Sequence, residues 1–341
     1  MAKLVLRDGT VFEGTSFGYE GNVAGEVVFC TATTGYPETL TDASFAGQIV
    51  VLTYPLIGNY GVPEMKDKIQ LRALLVTDYS EVYSHWSAKE TLGAWLQREK
   101  IPALTGVDTR SLAKHIRENG VMSGRIEFDG IAEAEDYDTT AFVPQVSVRE
   151  WDVLKAENPI GKKVVLADCG TRRSIVNALL NRGVDVIRVP WNYDFSTVEA
   201  DGLLLANGPG NPNLCGETIE NIKKYLPSKK PILALCLGHQ LLALANGGKV
   251  TKLKYGHRSL GQSVRQCGTE RCFITSQNHG WAVDASSLGK EWEPYFVNLN
   301  DGTNEGVKHV ENPWVSVQFE PEAQQNAHDT EFIYDNFVKN L

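Results

Sequence analysis

Two hydrophobic patterns divide the chain, and the first of them is typical of strands. Residues 3–18 alternate apolar and polar positions around a central Asp-Gly pair, which predicts a β-hairpin. Residues 25–32 are more continuously apolar and predict a buried strand, whereas residues 109–120 have helical spacing and end in a glycine. We therefore predict a β-rich mixed domain over residues 1–140.

Strand-type and helix-type patterns alternate in the second half. The runs KVVLADCG, VDVIRVPW, ADGLLLANGPG and KPILALCLG predict strands, and helical segments follow the first, third and fourth. This alternation predicts βαβ units in a doubly wound, mainly parallel sheet. Residues 141–162 lack clear periodicity and predict a linker. The sequence thus predicts an α/β domain over residues 163–341.

Composition narrows the class of partner and the cellular setting. The chain has 341 residues and a formal net charge of −9, which disfavours nucleic acid or an anionic membrane as the main partner. Its first residues resemble no signal peptide, and no apolar run approaches the roughly 20 residues of a membrane helix. The six cysteines lack the spacing of a zinc site. We expect a cytoplasmic protein without a bound metal.

One cysteine lies where α/β proteins often hold a nucleophile. Cys236 follows the apolar run of a predicted strand, and Gly238 opens the next predicted helix. Such a turn exposes the side chain and directs backbone N–H groups at a developing oxyanion. A helix N-terminus also favours the thiolate. The alternative is a small buried core cysteine, which would be the better interpretation of Cys236 alone.

Two further segments have polar or glycine-rich chemistry at predicted strand ends. The glycines of ANGPGNP, residues 206–212, allow close approach of a ligand to the backbone, although a tight turn explains them equally well. The segment lacks the lysine and spacing of a phosphate loop, so we do not expect this chain to bind ATP. In TSQNHGWAV, residues 275–283, three polar residues interrupt a β-type pattern. They form either a loop or a surface for a small polar ligand.

The order and spacing of NGPG, CLGHQ, QNHG and PEA resemble the class I, triad-type glutamine amidotransferases. The first half, through GEVVFCTATTGYPETLTDASFAGQIVVLTYPLIGNYGV and GVDTRSLAKHIRENG, resembles the N-terminal domain of the small subunits of carbamoyl phosphate synthetases. The resemblance covers nearly all of the chain. It implies the same two-domain organisation that the hydrophobic patterns predict.

The resemblance also implies roles for individual residues. Cys236 would attack the side-chain amide of L-glutamine, form a γ-glutamyl thioester and release ammonia. Leu237 N–H and the loop of Gly208 and Gly210 would hold the oxyanion and the amide. The remaining positions that match glutamine-binding positions are Ser44, Gln240, Asn278, Gly280 and Trp281. Ammonia would pass to a large partner subunit that uses bicarbonate, ATP and Mg, and this chain would need no cofactor of its own.

The last motif departs from the family at the position of its general base. The family has His-Pro-Glu where this chain has Glu320, Pro321 and Glu322. A carboxylate near Cys236 disfavours the thiolate, whereas an imidazolium stabilises it. Repulsion between two nearby carboxylates can hold one proton on the pair, and such a group is a poor substitute for imidazolium as a general acid.

No other histidine replaces the missing one convincingly. His239 and His279 belong to motifs in which the family already has histidine, and family members also carry one at the position of His328. A smaller departure is Ala234, where the family usually has glycine. We therefore expect impaired glutaminase activity.

Two other functions compete with this one. The chain is alternatively a catalytically silent structural or regulatory subunit of an ammonia-dependent synthetase. A free-standing γ-glutamyl hydrolase is the weaker third alternative, because the N-terminal domain is specific to the synthetase subunits.

Overall fold

A computed structural model describes residues 2–133, 136–322 and 329–341. Contacts divide the chain into two compact units, Met1–Thr140 and Ala141–Leu341. In the described ranges, no helix has the length and apolar character needed to cross a membrane. The expectation of a cytoplasmic location remains a prediction.

The first unit is built around a closed β-barrel. Its strands follow the order β1-β2-β8-β6-β4-β3-β9 around the barrel, and β5 pairs with β7 in a separate two-stranded sheet. The strands and helices of this unit are β1 (Ala2–Leu6), β2 (Val11–Ser16), β3 (Val23–Cys30), α1 (Tyr36–Thr41), β4 (Gln48–Leu52), β5 (Leu56–Ile57), β6 (Ala73–Leu75), β7 (Asp78–Tyr79), α2 (Leu92–Glu99), β8 (Ala103–Thr105), α3 (Thr109–Asn119) and β9 (Met122–Glu127).

Local sequence accounts for the best predicted elements of the barrel unit. Antiparallel pairing of β1 with β2 confirms the hairpin, and the alternating residues Leu4 and Leu6 are buried in the barrel core. Helix α3 begins where the Asp108 carboxylate accepts a hydrogen bond from the backbone N–H of Ser111 at 3.0 Å. It ends at Gly120, whose φ of 89° is the conformation that favours glycine.

The second unit contains a ten-stranded sheet. The strand order is β10-β12-β11-β13-β14-β19-β18-β17-β15-β16. Its strands and helices are α4 (Val143–Val146), β10 (Asp152–Leu154), β11 (Lys162–Asp168), α5 (Arg173–Leu180), β12 (Val184–Pro190), β13 (Gly202–Leu205), α6 (Gly216–Tyr225), β14 (Ile232–Leu235), α7 (Leu237–Ala245), β15 (Lys249–Gln266), β16 (Cys272–Asp284), β17 (Trp292–Asn298), β18 (Asn304–His309), β19 (Trp314–Val317) and α8 (Phe332–Lys339).

Helices cover both faces of the parallel centre of this sheet, which confirms the doubly wound α/β fold. Strands β12, β11, β13, β14 and β19 are parallel, and the strands from β18 to β16 form an antiparallel extension. Because side chains alternate along a strand, Leu203 packs into the core with α6 and α7, whereas Leu204 packs into the core with α5 and α8. The carboxyl ends of these parallel strands form one edge, where ligands of such sheets bind.

Two segments differ from their sequence interpretation. Residues 141–162, predicted as a linker, contain α4 and β10, and β10 pairs with β12 at the edge of the sheet. The polar QNHG segment, for which a loop was one interpretation, lies inside the long strand β16. The hydrophobic pattern of β10 is weak because this strand is short and lies at an edge. The pattern of the QNHG segment is weak because its polar side chains are buried.

Candidate active site

Cys236 occupies a sharp turn between β14 and α7. Its backbone has a φ of 51° and a ψ of −106°, a left-handed conformation that is strained for a residue with a side chain. Its N–H donates to Val317 O at 2.9 Å, and Gln240 N–H donates to Cys236 O at 3.3 Å. The structure therefore places Cys236 in the strained strand-to-helix turn that holds nucleophiles in α/β enzymes.

Two glycines allow this turn to pack tightly. A Cβ at Gly238 would lie 2.3 Å from Leu205 O, because the start of α7 approaches the end of β13 so closely. A Cβ at Gly208 would lie 2.3 Å from Cys169 O and 2.7 Å from the Leu237 side chain. The Gly208 loop and the first residue of α7 are thus neighbours, as the predicted oxyanion-binding arrangement requires.

Strand β16 contains three of the predicted glutamine-binding residues, and one of them contacts the nucleophile. The Cys236 Sγ lies 3.6 Å from Asn278 O, within the distance of an S–H···O hydrogen bond. The Gln240 side-chain amide donates to Trp281 O and to Gln318 Oε1, each at 3.0 Å. Gly280 lies in β16 between Asn278 and Trp281.

Gly210 and Ser44 belong to different units, and each is described within its own unit. Gly210 has a φ of 87°, and a Cβ there would lie 3.5 Å from the Phe142 ring. Ser44 is a buried residue of the first unit, and its N–H donates to Asp42 Oδ1 at 2.9 Å. Closure of Ser44 over glutamine stays a prediction.

Glu320, at the predicted base position, is buried against the same strand as Asn278. Its N–H donates to Ser276 O at 3.0 Å, and the Ser276 hydroxyl donates to Glu320 Oε2 at 2.7 Å. Ser276 and Asn278 are two residues apart and hence lie on one face of β16. Cys236 and Glu320 therefore both contact β16, at backbone carbonyls two residues apart.

Arg172 links the two carboxylates of the altered motif. Its Nη1 lies 2.6 Å from Glu320 Oε2, and its Nη2 lies 3.4 Å from Glu322 Oε1. The positive charge offsets the repulsion between Glu320 and Glu322 that the sequence suggested.

Neutral hydrogen-bond donors complete the surroundings of Glu322. The Ser174 hydroxyl lies 3.3 Å from Glu322 Oε1, and the Tyr334 hydroxyl lies 3.0 Å from Oε2. Burial, followed by the proximity of Glu322, raises the pKa of Tyr334 well above its usual value, so the phenol stays a donor. Arg172, Ser174 and Tyr334 therefore fix the Glu322 carboxylate, and its orienting role stays a prediction.

Sequence reasoning missed Arg172, Ser174, Ser276 and Tyr334. A signal existed for Arg172, because it follows the carboxyl end of strand β11, at the edge where ligands of parallel sheets bind. Tyr334 lies in α8 and had no comparable signal.

The alternative histidines that the structure describes, His239 and His279, each hydrogen-bond to another residue. His239 Nδ1 lies 2.8 Å from the Ser316 hydroxyl, and burial lowers the pKa of His239 to about 3. His279 hydrogen-bonds to Trp281 O at 2.8 Å, and its pKa is well below the usual value because of burial and the nearby His257. His328, like Ala323 of the PEA motif, lies outside the described residues.

A second buried polar cluster includes the histidine of the QNHG segment. His257, His279 and Glu305 have possible metal-ligand atoms within 4.8 Å of one another. Burial alone would lower the pKa of His257, but Glu305 and Asp301 outweigh it and raise the pKa. A raised pKa favours a proton over a metal on His257. The expected absence of a metal remains a prediction.

Comparisons with known proteins connect this geometry to a family. The family model of the carbamoyl-phosphate synthase small chain, CPSase domain, matches residues 4–126. The model of class-I glutamine amidotransferases matches residues 165–340. The two matched regions follow each other in the order that the sequence motifs predict.

Curated relatives match almost the whole chain. The chain is 44% identical to the carbamoyl phosphate synthase arginine-specific small chain of Chaetomium globosum, over 100% of this chain and 78% of that protein. It is 45% identical to a mitochondrial carbamoyl-phosphate synthase [ammonia] of Aquarana catesbeiana and 44% identical to the multifunctional protein pyr1-3 of Dictyostelium discoideum. Those two matches cover 99% of this chain but only 24% and 17% of the relatives.

The predicted resemblance is therefore confirmed for both halves. The chain belongs to the carbamoyl phosphate synthase small-chain family, with a class-I glutamine amidotransferase domain in its second half.

Proposed function

We propose that this chain is the glutamine-handling subunit of a carbamoyl phosphate synthase and that its glutaminase step is impaired at Glu320. The observation that supports the proposal most strongly is the strained turn at Cys236, with its Sγ 3.6 Å from Asn278 O. A nucleophile turn is maintained against backbone strain only where the surrounding structure fixes it. The Gly208–Leu237 contact and the β16 residues supply that surrounding structure.

The proposed reaction has a demanding proton transfer. Cys236 Sγ would attack the amide carbon of glutamine, and the C–N bond would break as nitrogen takes a proton and leaves as ammonia. Water would then cleave the thioester and regenerate the thiol. An imidazole near neutrality can both take and return these protons. Glu320, ion-paired with Arg172, is poorly suited to returning a proton, so we expect a slow reaction.

The other parts of the proposal concern the partner. A large subunit that uses ATP, Mg and bicarbonate would consume the ammonia, and this chain would need no cofactor. Membership of the small-chain family supports that partner. Neither nucleic acid nor a membrane is expected as a partner.

A silent subunit is the second candidate function. Two observations favour it: the carboxylate at the base position and the 45% identical relative whose name specifies ammonia. In this alternative the chain would stabilise or regulate a large subunit that takes free ammonia.

A thioester trap separates the two functions. The full chain is mixed with glutamine, quenched in acid and examined by mass spectrometry, with Cys236→Ala as the control. We expect a γ-glutamyl adduct on Cys236, with slow glutamate release. No adduct and no glutamate release, together with intact co-purification of the large subunit, would establish the silent alternative.

A further inference from the structure

The Arg172 ion pair is an unusual feature of the candidate site because all three charged groups are buried. The side chains of Arg172, Glu320 and Glu322 are only 9%, 6% and 5% exposed. Buried charges are costly unless they are paired and hydrogen-bonded, so each member depends on the others. This dependence distinguishes the cluster from a surface salt bridge, which contributes little.

The backbone fixes the position of Arg172. The Asp168 carboxylate closes the preceding turn by accepting from Gly170 N at 3.1 Å and from Thr171 N at 2.7 Å. The N–H of Arg172 itself lies 3.4 Å from Asn207 Oδ1. The Arg172 backbone is therefore held just before α5 by the turn that follows β11.

Two donors reach the Glu320 carboxylate from different elements of the second unit. Arg172 approaches from the β11–α5 turn, and the Ser276 hydroxyl approaches from β16. The other negative charge nearby, Glu322, shares the guanidinium and accepts from Ser174 of α5 and Tyr334 of α8. A cation and a hydroxyl donor both favour the charged form of a carboxyl group.

Resting on the function proposed above, we propose that Arg172 is a positioning residue that keeps Glu320 ionised and so removes the general acid from this site. The departing nitrogen of glutamine must take a proton as the C–N bond breaks. An ionised Glu320 has no proton to give, although it still lies against β16, the strand that Cys236 contacts. Arg172 thereby determines how inactive the carboxylate at position 320 is.

The test is a titration of Glu320 in the full chain. Glutamate labelled with ¹³C at the carboxyl carbon is incorporated, and Glu320→Gln identifies the Glu320 signal by its loss. In the starting chain we expect a titration midpoint below the ordinary value of about 4.3. Removing the charge with Arg172→Gln raises the midpoint by about 1–3 pH units. A midpoint that stays in place, or one that already lies at or above the ordinary value, would overturn the proposal.

Arg172→Lys separates charge from packing. Lysine retains the positive charge, so the Glu320 midpoint stays close to that of the starting chain. A rise as large as that of Arg172→Gln would show that packing, not charge, determines the titration. Because the readout is the carboxyl signal, it tests Arg172 whether or not the chain hydrolyses glutamine. If Arg172→Gln does not fold, a starting midpoint at or above the ordinary value, or a rise of about 1 pH unit or more in Arg172→Lys, still overturns the proposal.

Discussion

The two corners of the candidate site, around Cys236 and around Glu320, differ in what holds them. At the nucleophile corner, backbone conformation and close packing hold the turn: Cys236 has a φ of 51°, and Gly238 packs directly on the Leu205 carbonyl. At the base corner, side chains hold Glu320, through the ion pair with Arg172 and the hydrogen bond from the Ser276 hydroxyl. The nucleophile corner has the strained turn that the proposed glutaminase step needs, whereas the base corner has an arrangement of its own without an imidazole.

The difference teaches that loss of the base need not disturb the nucleophile. Both corners contact β16, at Ser276 and Asn278, but backbone hydrogen bonds to Val317 and from Gln240 hold the Cys236 turn. Substitution at position 320 can therefore change the chemistry while the Cys236 turn remains formed. Three predictions test this separation of the two corners.

The largest expected effect tests the nucleophile corner. In a chain that carries Glu320→His, Cys236→Ala should abolish the whole gain in glutaminase rate, a loss of about 10²–10⁴-fold. The measurement is glutamate release at neutral pH. Cys215→Ala is the matched control, because burial raises the pKa of the Cys215 thiol to about 12 and keeps it protonated. Equal losses in the two variants would mean that Cys236 is not the nucleophile.

The second prediction concerns how the buried His239 of α7 changes stability at acid pH. Since burial lowers the pKa of His239 to about 3, the unfolded chain binds a proton below about pH 6.5 that the folded chain does not. The free energy of unfolding therefore decreases as the pH is lowered. The contribution of this residue is about 1.4 kcal/mol per pH unit between about pH 6.5 and pH 3. Urea unfolding at several pH values measures the slope. His239→Asn should remove that share of the slope, and an unchanged slope would contradict the assignment.

The smallest effect is the steric one at the turn itself. Gly238→Ala should lower the free energy of unfolding by about 1–3 kcal/mol, because the new Cβ lies 2.3 Å from Leu205 O. Gly216→Ala at the start of α6 is the control, since its Cβ meets no atom within 4 Å. Urea unfolding should separate the two variants. If they are equally stable, α7 does not need the close approach at Gly238.

Periodicity predicted the parts of the fold that bury apolar faces. The hairpin of β1 and β2, the helix α3 and the parallel strands before Cys236 follow from spacing alone. The strand through the QNHG segment could not be assigned in this way. Its polar side chains are buried and satisfied by one another, as Gln277 is by His257 and His279, so they interrupt the hydrophobic pattern.

The site was predictable where it is local in sequence. Cys236 could be assigned because strand, turn and helix are contiguous, whereas Arg172 and Glu322 are 150 positions apart. No local pattern indicates that an arginine after β11 will contact a carboxylate after β19. The sequence therefore predicted two repelling carboxylates, and the structure adds the cation that joins them.

The central claim is that the base corner alone limits an otherwise intact glutaminase. The most direct test measures glutamate release at neutral pH from the starting chain, from Glu320→His and, as the control, from Glu320→Gln. An imidazole at position 320 should increase the rate by about 10²–10⁴-fold, whereas the neutral amide should not. An unchanged rate in Glu320→His, with the chain folded, would contradict the account and show that the limiting step lies elsewhere.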